Sequence, residues 1–262
     1  MPLTDTTVVR VGPSCYETVL PEDWVALQGV HGGFVAALAV QAIGISIGDP
    51  VRTMRAGTFG FLRGLRPEPA TIEVTEVRTG RALATYDVAV NQGGPPSLVG
   101  RCHFSPPWDG IAFSDLEPPA LTRPDDAVRL VAPGGRVGHF GHLDTWVDPE
   151  TTLFAGAPEA RWKGWTRPDG DDVIDTAWLT LLGDYFPPAV TVRNTGPTRA
   201  VSIEYAIQIH TSAERIELGA DEYLACEMHT THAAEGFAVE DGSIWAPDGT
   251  LLATTRQTRL AG

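Results

Sequence analysis

A helical segment with almost no charge constrains the fold more than any other feature of the sequence. After Gly32 and Gly33 the chain reads FVAALAVQAIGISI, which is rich in Ala, Leu, Val and Ile and contains no charged residue. A helix that is apolar on all its faces is normally buried within protein. We therefore expect this segment to be a helix that other parts of the chain surround on nearly every side.

Runs of residues that favour β-structure follow the Gly-Asp-Pro break at residues 48–50. In one of them Tyr86, Val88 and Val90 recur at every second position, the period expected of a strand with one face on a core. Turn sequences that contain Gly or Pro separate the runs. Four strands are predicted, at residues 53–63, 70–79, 82–90 and 97–104.

A proline-rich stretch interrupts this pattern, and the same order of elements then recurs. Residues 106–135 contain six prolines, a composition typical of an extended crossing on the surface, and are predicted to be a linker. Asp171 and Asp172 mark the predicted start of a second helix, because acidic residues favour the positive end of the helix dipole. The elements predicted after the linker are a possible strand at 138–147, a helix at 171–186 and strands near 200–210, 223–233, 236–246 and 251–260.

The order of elements predicts an α+β fold. One helix followed by an antiparallel sheet occurs twice, and each sheet is expected to curl around its own helix. The first repeat is assigned to residues 1–105, the linker to 106–135 and the second repeat to 136–262. A length of 262 residues suits either two domains of about 130 residues or one large domain, so length alone does not decide between them.

Charge and composition exclude several classes of partner. The formal net charge is -14 and Lys163 is the only lysine, so nucleic acid is not an expected partner. Cys15, Cys102 and Cys226 are odd in number and far apart, which argues against a disulfide framework and a structural zinc site. The N-terminal segment lacks the apolar region of a secretory signal, and no apolar stretch is long enough for insertion through a membrane. A cytoplasmic protein without a metal or other cofactor is expected.

The motif Val30-His31-Gly32-Gly33 is the first candidate for a functional site. Two glycines permit a tight turn into the helix, and this alone would explain them. They also leave backbone N–H groups at the helix start accessible, where the oxygen of a reacting carbonyl group could bind as it gains charge. The motif alone does not decide between these interpretations.

Asp184 is the second candidate, in the last turn of the second predicted helix. The negative end of the helix dipole disfavours a carboxylate at this position, so helix stability does not explain the residue. If the site is buried, the pKa of Asp184 should rise above about 3.9, towards that of a useful general base. The alternative is an aspartate that caps a neighbouring backbone group or faces water.

Two further polar positions lie on predicted strands. Gln257 is in the last strand, ATTRQTR, where charged and hydroxyl residues replace the apolar alternation, although an exposed strand face would also explain it. Ser202 and Glu204 are two residues apart and are predicted to share one strand face, with Tyr205 on the other.

Other chemistries find little support in the sequence. His139, His142 and Asp144 have a spacing similar to that of metal ligands, but on a strand the two histidines would point to opposite faces. The sequence contains no Gly-x-Ser-x-Gly motif of a serine hydrolase and no Gly-x-x-x-x-Gly-Lys phosphate loop. Neither a metal-dependent reaction nor a serine hydrolase of the strand-turn-helix type is predicted.

Three segments together resemble one known family. They are GVHGGFV at residues 29–35, FGFLR at 59–63 followed by Pro67, and WAPDGTLLATTRQ at 245–257. They resemble the acyl-CoA thioesterase II type of double-hotdog protein, and the resemblance covers most of the chain apart from the linker. It implies a double-hotdog fold and hydrolysis of an acyl-CoA substrate by general-base catalysis.

The resemblance also implies catalytic residues. In that family an aspartate near the end of the second helix, a threonine on the following strand and a glutamine on the last strand hold and activate a water. These positions match Asp184, Ser202 and Gln257. The threonine is a serine here, which keeps the hydroxyl but lacks the methyl group that restricts its rotamer.

Substrate contacts are implied for the first half of the chain. Gly33 is the best candidate for a backbone donor to the oxyanion, with Gly32 and His31 beside it. Arg63 and Arg66 follow the first strand after the helix and could meet the phosphates of CoA, although an ordinary surface role would also explain them.

Two other functions remain open at this point. A hotdog dehydratase or hydratase would have a similar fold, but its Asp-x-x-x-x-His pattern does not occur in the passage into the first helix. A divergent hotdog protein that binds an acyl thioester or related ligand without hydrolysing it is compatible with the serine at position 202. A homodimer is plausible through an exposed sheet edge.

Overall fold

The computed structural model describes residues 3–131, 138–170, 173–210, 216–219 and 221–262. The α-helices in these residues are α1 (Gly32–Ile47), α2 (Thr176–Tyr185) and α3 (Val190–Arg193). The strands are β1 (Val9–Arg10), β2 (Cys15–Val19), β3 (Val25–Ala26), β4 (Gly29–Val30), β5 (Thr53–Phe61), β6 (Pro69–Thr79), β7 (Ala84–Asn91), β8 (Leu98–Ser105), β9 (Val128–Arg129), β10 (Leu143–Val147), β11 (Arg161–Pro168), β12 (Ala200–Ile209), β13 (Leu224–Ala234), β14 (Phe237–Trp245) and β15 (Leu251–Ala261).

Thirteen of these strands form one antiparallel sheet that runs through both halves of the chain. Its order is β1-β2-β6-β7-β8-β5-β12-β15-β14-β13-β11-β10-β9, while β3 and β4 pair separately. The halves join where β5 pairs with β12, with Phe59 opposite Tyr205. Outward from this junction the order is β8, β7, β6 on one side and β15, β14, β13 on the other. The junction therefore lies near the middle of the sheet.

The two longer helices lie against the sheet and against each other. α1 packs on β5 to β8, α2 packs on β12, β14 and β15, and the two helices contact one another. Phe34, Leu38 and Ile43 of α1 are fully buried, which agrees with the burial predicted from its composition. The helix ends at Gly48, which has a φ of 65° and donates its N–H to the carbonyl of Gly44. None of the helices in the described ranges is both long and apolar enough to cross a bilayer.

Most of the predicted elements are confirmed. The four strands predicted for the first half are β5 to β8 and the last four are β12 to β15, with ends that differ by at most two residues. In β7 the residues that face the core are Ala84, Tyr86, Val88 and Val90, as the alternation predicts. A strong local alternation of apolar residues therefore identifies β7.

Two predicted elements in the second half need correction. The possible strand at 138–147 begins as the 3-10 helix Gly138–His142, and only Leu143–Val147 is a strand. The second helix begins at Thr176, because the Asp175 side chain caps it by accepting hydrogen bonds from the first backbone N–H groups. The predicted start at Asp171 and Asp172 lies outside the described residues.

Strand β11 was not among the predicted elements. Trp162, Gly164 and Thr166 face inward, while Arg161 and Lys163 alternate with them. The inward face thus combines an aromatic residue, a glycine and a hydroxyl residue, so the alternation of aliphatic residues that identifies other strands is missing.

The predicted linker is only partly without secondary structure. Residues 106–123 have no regular structure and are mostly exposed, as expected for a surface crossing. Further on, β9 pairs with β10 and Leu130 is buried, so this part joins the sheet. The predicted end of the linker at residue 135 falls within 132–137, outside the described residues.

Candidate active site

A cavity of about 600 Å³ lies where the two halves meet. Its wall includes the start of α1, the chain after β5, the end of α2 and the start of β12. Both halves contribute because β5 pairs with β12 and α1 packs on α2. Among the polar side chains that border it are His31, Arg63, Asp184, Ser202 and Arg259, and the backbone of Gly32 lies beside them.

Asp184 lies in the last turn of α2 with 7% of its surface exposed. Burial raises the pKa of this carboxyl group above its ordinary value, although the charge of Arg259 and hydrogen bonds from Ser202 and the Gly33 N–H oppose the change. The direction agrees with that predicted for a buried Asp184. A carboxyl group with a raised pKa is a more effective general base near neutral pH.

The structure brings Asp184, Ser202 and Gln257 together. Oγ of Ser202 lies 2.9 Å from Oδ1 of Asp184 and 2.7 Å from Oε1 of Gln257. Nε2 of Gln257 donates to the carbonyl oxygen of Gly183 at 2.8 Å, which fixes the orientation of the amide. Gln257 is fully buried behind Ser202 and does not border the cavity. Asp184 and Gln257 thus contact the hydroxyl from two sides.

The Ser202 hydroxyl has more acceptors around it than protons to donate. It carries one proton but faces Oδ1 of Asp184 and Oε1 of Gln257, while Nη1 of Arg259 donates to it at 2.9 Å. When Asp184 is ionised, one of the two acceptors receives no hydrogen bond from Ser202. When Asp184 is protonated, it can donate to Ser202 and Ser202 to Gln257. The geometry therefore favours proton uptake by Asp184, which is the step that a general base performs.

A β-bulge directs Ser202 towards the cavity. The pairing of β12 with β15 shifts between Ser202 and Glu204, so that Ile203 is the extra residue. Ser202 consequently faces inward and contacts Asp184. Tyr205 is also buried, whereas Glu204 is exposed. The prediction that Ser202 and Glu204 share one strand face is wrong, because one extra residue reverses the alternation.

Gly33 permits the close approach of α1 to α2, and Gly32 permits the close approach of α1 to Phe61 in β5. A Cβ atom at Gly33 would lie 2.8 Å from the carbonyl oxygen of Leu181, and one at Gly32 would lie 2.7 Å from the Phe61 ring. The N–H of Gly33 lies close enough to the Asp184 carboxylate to lower its pKa, and the oxyanion role predicted for Gly33 stays a prediction. Gly32 borders the cavity, and N–H groups at the first positions of a helix have no partner within the helix.

His31 caps α1 and faces Asp184. Its Nδ1 accepts a hydrogen bond from the Phe34 N–H at 3.3 Å, so the neutral ring carries its proton on Nε2, 4.0 Å from Oδ2 of Asp184. Burial lowers the pKa of His31 to about 4, and the ring is therefore neutral at physiological pH. The ring of His139 stacks on it with 4.9 Å between the centroids. His31 thus presents an N–H donor beside Asp184.

Other predicted residues lie apart from this cluster. Arg63 is exposed at the border of the cavity. His142, one of the residues with metal-like spacing, stacks on Trp24, and its Nε2 lies 3.1 Å from the carbonyl oxygen of Asp23. Within the part of the chain that the structure describes, no three His, Cys, Asp or Glu side chains are grouped so as to hold a metal ion.

Arg259 and Glu240 belong to the site but were not predicted from the sequence. Nε and Nη2 of Arg259 donate to Oε1 of Glu240 at 3.0 and 2.7 Å. The sequence feature that could have indicated Arg259 is the alternation in β15. There Thr255, Gln257 and Arg259 are buried, whereas Leu260 is exposed. A polar inward face on a strand is thus the pattern that could have indicated them.

Gly183→Ala is expected to lower the free energy of unfolding by about 1–3 kcal/mol. A Cβ atom there would lie 2.2 Å from Oη of Tyr205 and 2.7 Å from Cγ2 of Thr255. Tyr205 cannot move freely because it donates to the carbonyl of Thr180 at 2.9 Å. Urea denaturation measures the loss. Gly44→Ala in α1 is the control, because the added Cβ atom there meets open space. This substitution should raise the free energy of unfolding by about 0.5–1 kcal/mol. Equal losses of stability in both variants would contradict the steric argument.

Two family profiles match the chain. The acyl-CoA thioesterase N-terminal domain matches residues 20–105, and the acyl-CoA thioesterase C-terminal domain matches residues 117–261. This chain belongs to the acyl-CoA thioesterase family, which confirms the resemblance found in its sequence motifs.

Relatives and solved structures extend over nearly the whole chain. An uncharacterized protein of Mycobacterium tuberculosis H37Rv is 27% identical over 95% of this chain and 92% of its own length. A hot dog fold protein of unknown function from Alicyclobacillus acidocaldarius superposes with a TM-score of 0.87, at 22% identity, over 98% of this chain and 96% of that one. The acyl-CoA thioesterase II TesB2 of Mycobacterium marinum gives a TM-score of 0.77 at 22% identity, over 98% and 96% of the two chains. The chain therefore has a hot dog fold.

Proposed function

We propose that this protein hydrolyses acyl-CoA thioesters to a free acid and CoA, with Asp184 as the general base. The observation that carries the proposal is a buried carboxylate at the cavity wall, with the Ser202 hydroxyl 2.9 Å from its Oδ1. Membership of the acyl-CoA thioesterase family supports the same substrate class. In this proposal residues 1–105 and 136–262 are two hotdog repeats that share one site at their junction.

The proposed reaction begins with a water molecule between Asp184 and the thioester carbonyl carbon. Asp184 takes a proton from the water as the water oxygen attacks the carbonyl, and Ser202, itself held by Gln257, keeps the carboxylate in position. We assign stabilisation of the tetrahedral oxyanion to backbone N–H groups at the start of α1, from Gly32 at the cavity wall and Gly33, with His31 beside them. The C–S bond then breaks, and the proton on Asp184 passes to the leaving sulfur.

The cavity has an apolar wall that suits the acyl chain of an acyl-CoA and a charged border that suits its CoA phosphates. Val35, Phe61, Phe140 and Leu153 contribute apolar wall against which an acyl chain can pack. Arg63 lies exposed at the border, where its guanidinium can meet a phosphate of CoA. The length of the apolar wall would then set the preference for acyl chains.

Release of free thiol from a panel of acyl-CoAs tests this proposal. We expect hydrolysis of at least one chain length, with kcat/KM falling on the acid side as Asp184 becomes protonated. Because burial raises the pKa of Asp184, this fall should occur above the ordinary aspartate value of about 3.9. A non-hydrolysable thioether analogue that binds in calorimetry while no acyl-CoA releases thiol would overturn the proposal in favour of a ligand-binding protein.

A further inference from the structure

A buried ion pair lies directly behind the proposed catalytic hydroxyl. Arg259 is 4% exposed and Glu240 is 1% exposed, and two nitrogens of the guanidinium donate to the same carboxylate oxygen at 3.0 and 2.7 Å. Burial of an ion pair does not in general stabilise a fold more than well-packed apolar residues would. The pair therefore calls for an explanation other than stability alone.

Glu240 holds the guanidinium in one place. Its second oxygen, Oε2, accepts hydrogen bonds from the backbone N–H of Ala189 and, at 3.4 Å, from Oγ1 of Thr230. The carboxylate is thus tied to the chain after α2 and to β13. Because the guanidinium is planar and meets Glu240 through two nitrogens, its third nitrogen has a fixed direction.

That third nitrogen points at Ser202. Nη1 of Arg259 donates to Oγ of Ser202 at 2.9 Å, and Ser202 lies opposite Arg259 in the pairing of β12 with β15. Arginine has only donors, so this contact occupies a lone pair of the hydroxyl oxygen. The hydroxyl proton must then point away from Arg259, towards Asp184 or Gln257.

Serine needs such a contact more than threonine would. Its Oγ can occupy three staggered rotamers, whereas a β-branched side chain is restricted by its second substituent. Ile203, the bulged residue beside Ser202, leaves the backbone there without regular pairing to β15. A fixed donor across the strand pair therefore supplies a restraint that the serine side chain itself lacks.

We propose that Arg259, held by Glu240, is a positioning residue that fixes the Ser202 hydroxyl beside Asp184. The inference rests on the proposed hydrolysis for its effect on rate, while the positioning itself can be observed without turnover. Arg259 acts through Ser202 and does not need to touch the substrate.

Because Arg259 carries a charge near Asp184, its removal should also change the pH dependence of kcat/KM. The titratable groups that face Asp184 are His31 from α1, Tyr205 from β12 and Arg259 from β15, and Glu240 lies behind Arg259. His31 and Tyr205 are neutral near physiological pH, because burial lowers the pKa of His31 and raises that of Tyr205. Arg259 is thus the positive charge that lowers the pKa of Asp184, and its loss should move the acid limb of kcat/KM to higher pH.

The test compares Arg259→Met with Arg256→Met, a matched control on the same strand. Arg256 makes a similar two-nitrogen contact with Asp241 on β14, but its side chain is 67% exposed. We expect Arg259→Met to lower kcat about 10- to 100-fold with little change in KM, and to shift the acid limb upwards. Arg256→Met should stay within about twofold of the wild type in all three quantities, since it contacts no residue of the site.

Two further variants guard against misfolding and test the cause. Arg259→Lys keeps a charge for Glu240 but loses the planar fork, so it should fold and still lower kcat about 10-fold. Adding Ser202→Thr to Arg259→Met should recover about 10-fold in kcat, because the β-branched side chain restricts its own rotamer. A kcat of Arg259→Lys equal to that of the wild type would overturn the inference. So would a fall in the kcat of Arg259→Met that comes without a shift of the acid limb and is not reversed by Ser202→Thr.

Crystal structures give a readout that does not depend on turnover. We expect a single Ser202 rotamer in the wild type and more than one in Arg259→Lys. One unchanged rotamer in both proteins would overturn the positioning role even if the wild type hydrolyses acyl-CoA. If Arg259→Lys shows the additional Ser202 rotamers but the wild type releases no thiol, the positioning role stands and only the proposed hydrolysis is overturned.

Discussion

Replacing Asp184 by asparagine is expected to lower the rate of thiol release by about 10²- to 10⁴-fold, the range typical of a lost general base. Asparagine has nearly the same shape but cannot take a proton from water. Its amide can still meet Ser202 and the N–H of Gly33, which contact the carboxylate in the wild type. Since the variant no longer buries an ionisable carboxyl group, its free energy of unfolding should be at least that of the wild type.

Asp241→Asn provides the control for this substitution. Asp241 is a partly exposed aspartate, with 42% of its side chain accessible, that pairs with Arg256 at 2.6 Å and does not border the cavity. Its replacement should leave thiol release within about twofold of the wild type. If Asp184→Asn kept more than about a tenth of the wild-type rate in a folded protein, Asp184 would not be the general base.

The fold could be predicted where the sequence pattern is local. The chargeless segment of α1 and the alternation in β7 each predict their element because burial of apolar side chains decides both. β11 could not be found in this way, because the inward glycine, Gly164, approaches the backbone of β10 too closely for any side chain. A Cβ atom there would lie 2.2 Å from the carbonyl oxygen of Trp146, a contact that depends on a neighbouring strand.

The candidate site was predictable in its residue types but not in its geometry. Asp184 attracts attention because a carboxylate opposes the helix dipole, and the structure gives it the buried position that this conflict suggests. The face of Ser202 was predicted wrongly because a bulge leaves no mark in the spacing of residues. Likewise, Gly33 lies against Asp184 only because α2 ends against α1, which a single segment of sequence does not reveal.

Replacing Glu240 by alanine is expected to lower the free energy of unfolding by about 3–5 kcal/mol, the range for breaking a buried ion pair. Arg259 would remain buried with its charge uncompensated. The Ala189 N–H and the Thr230 hydroxyl would also lose their acceptor. Urea unfolding followed by tryptophan fluorescence measures the change. Asp241→Ala, which breaks the exposed pair with Arg256, should be close to the wild type; a similar loss in both variants would show that burial of the pair is not the cause.

Replacing both partners separates the stability of the fold from the activity of the site. Glu240→Met combined with Arg259→Met leaves no unpaired charge, and buried ion pairs exchanged for apolar residues are often as stable as before. The double variant should therefore recover most of the free energy of unfolding that Glu240→Ala loses. The recovery should be incomplete, because the Ala189 N–H still lacks its acceptor. Thiol release should nevertheless remain as slow as in Arg259→Met, because no donor reaches Ser202. A double variant that is both stable and as fast as the wild type would contradict the positioning role, whereas a stable and slow one would show that the pair serves the hydroxyl rather than the fold.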